Sequence, residues 1–117
     1  MANTSVIRTA GKTYYFPVTG TSSASTLIDD TTNDQVNFAA FLNSDVNPCL
    51  VRFTNYSPCP AAVWPTSGAP VQDGFVLPPL MEVPIVIAVP TTPFYMTVVA
   101  PATFTTSLYV TPVADQS

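Results

Sequence analysis

The sequence predicts an all-β fold, a single antiparallel β-sandwich of Ig-like or jelly-roll-like type with seven to nine short strands. Three observations carry that expectation. No stretch keeps an apolar period of about 3.6 residues for the length of a helix, because Pro or Gly interrupts most windows of about ten residues. β-Branched and aromatic residues dominate what lies between the interruptions. Turn signals then recur every 8–12 residues or so, the spacing of a sandwich of short strands.

The elements follow in order. Residues 1–10 read as an extended N-terminal arm, with Thr4–Thr9 as its strand-like part, and residues 11–117 as the sandwich domain. Lys12–Thr19 alternates Tyr14, Phe16 and Val18 against Tyr15, Pro17 and Thr19. Gly20–Ser25 is a loop of small residues. Val36–Asn43 sets Val36, Phe38, Ala40 and Leu42 against Asn37, Ala39, Phe41 and Asn43, and Cys49–Asn55 sets Cys49, Val51 and Phe53 against Leu50, Arg52 and Thr54. A Pro-rich middle, Pro58–Pro79, carries a short Ala61–Trp64 strand and a turn at Asp73-Gly74. Three strands close the chain: Val83–Val89, Phe94–Ala100 and Phe104–Thr111.

Two of these strands are apolar on both faces. Val83, Ile85, Ile87 and Val89 oppose Pro84, Val86 and Ala88, while Tyr95, Thr97 and Val99 oppose Phe94, Met96 and Val98. An antiparallel sheet ordinarily leaves one face polar and wet. Either loops of the same chain cover the second face, or another subunit does. Pro84 has no N–H to give a ladder, which places its strand at a sheet edge. An uncharged Val/Ile edge invites association unless covered. The candidate interface residues are Val6, Ile7, Val83, Ile85, Val86, Ile87, Tyr95 and Val99.

Composition excludes several function classes. Of the 117 residues, 47% are apolar and only 9% charged, so neutral groups, above all Thr and Ser, supply the polar surface. Such a chain is too apolar for intrinsic disorder. Arg8, Lys12 and Arg52 are the only cations, too few for a nucleic-acid surface. With no histidine, imidazole catalysis and imidazole metal ligation are impossible, and serine or cysteine nucleophiles lack a base. No enzyme activity and no cofactor are expected. Asp29, Asp30, Asn33 and Asp34 read as turn chemistry rather than a calcium loop, which would show a glycine and a bidentate acid at fixed spacing. The start of the chain has no basic segment followed by an apolar one, and the apolar run Phe75–Pro90 is too short and too Pro-broken to cross a bilayer. Synthesis in the cytoplasm, no membrane and free, partly buried Cys49 and Cys59 are the expectations. Tyr14, Tyr15, Phe16, Tyr56 and Trp64 offer a stacking platform for a glycan, with core filling by Trp64, Phe53 and Phe75 as the plainer reading.

The C-terminal third carries a resemblance. Phe75-Val-Leu-Pro-Pro, Val83-Pro-Ile-Val-Ile-Ala-Val-Pro, Phe94-Tyr-Met-Thr-Val-Val-Ala and the ending Ser107-Leu-Tyr-Val-Thr-Pro resemble a group of small tailed-bacteriophage virion proteins that decorate or cement the head. The resemblance covers the last third in detail and the rest in general character. It implies a capsid exterior location, the major capsid protein and further copies of the chain (a trimer among the arrangements) as partners, and no shared active site. Another virion component, such as a tail, collar or head fibre, is the neighbouring alternative. A glycan-binding module is the alternative from another class.

Overall fold

The computed structural model describes residues 7–31, 36–68, 70, 74–101 and 103–115, with backbone only at 7, 8 and 115. Among them there is no helix, and nine strands form: β1 (Ile7–Thr9), β2 (Tyr14–Val18), β3 (Thr26–Ile28), β4 (Phe38–Asn43), β5 (Cys49–Thr54), β6 (Gly74–Leu77), β7 (Ile85–Ala88), β8 (Phe94–Val99) and β9 (Thr106–Asp115). Two antiparallel sheets pack face to face. One runs β1-β9-β4-β7 with β2 also on β9, and the other runs β3-β8-β5-β6.

β1 and β2 pair with successive parts of β9, at 113–115 and 106–110, so together they fill one strand position. The sandwich therefore has four positions per sheet. The pairs β2–β9, β3–β8, β4–β7 and β5–β6 are all antiparallel, like rungs of one long hairpin rolled upon itself. That strand order is the jelly-roll arrangement. Between β1 and β2 the edge bulges at Gly11, where an added Cβ would lie 2.8 Å from the Asp29 carbonyl oxygen. Beside the bulge Pro112, which lacks an N–H, gives its carbonyl to Ala10 N–H at 2.9 Å. A proline is tolerated inside a central strand because the neighbouring strand is interrupted there.

The core lies between the sheets and is built on Phe41, Phe94, Ile28, Met96, Leu77 and Leu108. Phe53 lies beside both Phe41 and Phe94, with centroids 6.2 and 6.1 Å away. Alternation places Phe16 and Val18 inward and Tyr15 and Pro17 outward on β2, as the sequence predicts. In β4 the inward face is Ala39, Phe41 and Asn43, leaving Phe38 exposed and Leu42 half-buried.

Several expectations are corrected. Ala61–Trp64 is not a strand. Its backbone lies across the outer side of the β3-β8-β5-β6 sheet and is held by side chains. Ser25 Oγ accepts from Cys59 N–H at 2.9 Å, Ser22 Oγ accepts from Ala62 N–H at 2.9 Å, and Thr97 Oγ1 donates to Pro60 C=O at 2.8 Å. Phe75 is not core: it lies on the edge strand β6 and is 38% exposed. The final strand starts at Thr106 and continues through Asp115, leaving Phe104 exposed before it. Of the N-terminal arm, Ile7–Thr9 already pairs with β9 of its own sheet, so this part is engaged within the chain. Residues 1–6 of the arm, Val6 among them, and Asn33, Asp34 and Asp73 lie outside the described residues, and Gly74 opens β6.

Candidate functional surface

The two sheets differ in how their outer sides are covered. On β8, Thr97 and Val99 point away from the main core yet are buried, Val99 to 4% exposure. Leu50, Val99 and Ala62 form a second small apolar cluster, with Trp64 packed on it. Loops of the same chain thus cover this sheet. Val99 is therefore corrected from interface candidate to buried residue, and Tyr95 is half-buried beside it.

The β7 end of the other sheet is different. Among the described residues β7 pairs with β4 alone and forms that sheet's edge, the position its proline predicts. Val83 is 71% exposed, Ile85 and Val86 are exposed, and Ile87 packs partly against the core. Two residues the sequence reading does not single out join them. Leu80 N–H donates to Asp45 C=O at 2.8 Å, which ties the loop before β7 to the Asp45–Asn47 turn. Val46 and Leu80, each 64% exposed, are presented by those two tied loops. Leu80 also has a left-handed backbone, φ 55°, which a leucine adopts only at some energetic cost. The available sequence signal was modest: an apolar Val46 in an otherwise polar Ser44–Asn47 turn, and an apolar Leu80 just after Pro78-Pro79.

The turn is rigidly built. Asn43, wholly buried, donates through Nδ2 to Asn47 C=O at 2.8 Å and accepts at Oδ1 from Thr106 Oγ1 at 2.7 Å and from Asp45 N–H at 3.2 Å. A buried amide with its hydrogen-bonding groups partnered fixes a loop in one conformation. No ionisable side chain occurs from Val83 to Pro93, while Asp45 and Glu82 border the cluster. What this surface offers chemically is apolar area and an open strand edge.

The remaining candidates resolve as follows. Asp29 Oδ1 accepts from the adjacent Asp30 N–H at 2.8 Å, a local turn contact, whereas Asp30 accepts from the Thr92 hydroxyl, which ties its loop to the one before β8. Among the described residues no three metal-ligating groups converge. Cys49 and Cys59 are free and buried. Burial pushes the Cys49 thiol up to about 12 from its ordinary 9.0. Of the glycan candidates, Tyr14 is half-buried and its hydroxyl accepts from Asp29 N–H at 3.2 Å, Trp64 packs on the second apolar cluster, and Tyr56 is exposed. Tyr15 is exposed beside Tyr109, with ring centroids 5.3 Å apart and planes tilted by 35°.

The chain matches no protein-family model, no curated protein and no solved structure.

Proposed function

We propose that the chain is a virion structural protein of a tailed phage, made in the host cytoplasm, that docks on the capsid exterior and stabilises the shell through self-association and apolar contacts. The observation that carries this reading is the exposure of Val46 and Leu80 on two tied loops and of Val83, Ile85 and Val86 at an open sheet edge. Apolar side chains left exposed along an open sheet edge are surface that a partner can cover. A partner that buries it gains about 25 cal/mol for each Å² removed from water. Many copies on one lattice add their weak contacts through multivalency. Jelly-roll sandwiches build viral capsid domains but also lectins and cupins, so the fold is compatible with the reading and does not choose it. The resemblance of the C-terminal third to phage head decoration proteins supplies the choice.

Purified chain added to heads that lack it is the test. Saturable binding and a higher temperature of DNA release are expected; heads that bind none contradict the proposal. Binding to tails or collars instead would move the same module to another part of the virion. A second reading, a glycan-binding module, rests on the exposed Tyr15–Tyr109 pair. Its test is Tyr15→Ala on a glycan array, where unchanged signals or no signal at all removes it.

A further inference from the structure

We propose that β7 is a self-pairing edge, so that two copies join β7 to β7 antiparallel about a two-fold axis at Ile87. This deepens the self-association in the virion reading and rests on it for its biological setting.

In an antiparallel ladder, alternate residues direct both backbone groups to the same neighbour. Val89 N–H donates to Asn37 C=O at 2.8 Å, continuing the β4–β7 register in which Ala39 opposes Ile87 and Phe41 opposes Ile85. Ile85, Ile87 and Val89 therefore face β4. Pro84, Val86 and Ala88 direct their backbone groups to the open side, and among the described residues nothing bonds the N–H of Val86 or Ala88. Pro84 sits where its missing N–H costs no ladder bond.

This edge suits a second copy of itself. With the axis at Ile87, Val86 opposes Ala88 of the second copy, and Ala88 opposes its Val86. Both outward N–H groups of each copy then find a carbonyl. Pro84 opposes the Pro90 position, so the seam ends where neither strand has an N–H to lose. A strand without prolines at both flanks would leave donors facing Pro84. Exposed Ile85 gains Val89 as its apolar counterpart, and the half-buried Ile87 meets its own copy.

Charge agrees. Each chain carries a net charge of −4, yet residues 83–93 contain no ionisable side chain, so the copies meet without like charges at the seam. Of the devices that keep edges from pairing, this edge has short length and flanking prolines but neither lysine nor an inward charge.

Native mass spectrometry and sedimentation at roughly 100 μM, a concentration suited to a small interface, test the pairing. Wild type should have twice the 12.4 kDa chain mass. Val86→Pro removes an N–H that the fold does not use, so it should halve the mass while leaving the far-ultraviolet circular dichroism unchanged. Ile87→Cys should form an intermolecular disulfide on mild oxidation, because like residues face each other only there, whereas Ala88→Cys should not. If Val86→Pro fails to fold, the cysteine pair decides. A monomeric or trimeric wild type, a dimer that survives Val86→Pro, or equal cross-linking of both cysteine variants overturns the proposal. Head binding by a strictly monomeric wild type would overturn the pairing and leave the virion reading standing.

Discussion

Asn43 is the residue on which the loop end of the sandwich depends. Replacing it with Ala removes the acceptor of Asp45 N–H and the amide that holds both the Asn47 carbonyl and the Thr106 hydroxyl, which keep only their mutual 2.8 Å bond, and losing a buried partner costs roughly 1–3 kcal/mol. Asn43→Ala is expected to lower the unfolding free energy by about 2 kcal/mol in urea titration. Gly11 acts through close approach: Gly11→Ala must push the β1–β2 bulge from the Asp29 carbonyl, with an expected loss of about 1–3 kcal/mol. For Cys49, the raised thiol pKa means that unfolded chains release a proton from about pH 9 whereas the native thiol holds it to about 12. Its contribution is therefore fully present below pH 9 and is lost as pH rises toward 12. Thiol labelling at pH 8 should leave Cys49 unmodified in the folded chain and modify it after denaturation. Asn43 also marks what a sequence can hide. Alternation separated the two faces of β4 correctly, but the face with more apolar residues is the outer one, because the Asn43 side of the strand carries Phe41 into the core and a polar anchor to the turn.

At the scale of elements, β2, β5 and β8 lie within the segments where the sequence places strands, whereas β9 begins after Phe104 and runs on to Asp115. The Pro-rich middle was not legible. Ala61–Trp64 has β-like residues, but the Ala61 and Ala62 backbone groups are met by Arg52 and Ser22 side chains, as those of Cys59 and Pro60 just before are by Ser25 and Thr97, a long-range arrangement that no local pattern encodes. This segment resolves the ambiguity of the two-sided strands in opposite ways. Over β8 it supplies the cover from within the chain, while β7 lies at an edge and keeps its apolar side chains in solvent. The edge position of β7 was readable because Pro84 lacks a donor. Trp64→Ala should uncover Leu50 and Val99 and cost about 1–3 kcal/mol, less than a fully buried tryptophan, as read by thermal unfolding.

For the whole molecule, the low charge and the jelly-roll order act together. The sandwich closes its core without a disulfide and covers one sheet with its own loops, yet it leaves exposed apolar side chains and an open edge that is short and flanked by Pro84 and Pro90 but carries no charge. Such a surface has a physical rationale when copies are held in an assembly, and the virion reading names that assembly. A cryo-electron microscopy reconstruction of the particle whose genome encodes the chain tests this most directly. The account predicts jelly-roll density on the outside of the head, with the Val46–Leu80–Val83 end in contact with a neighbouring subunit; a head carrying no such density would contradict it.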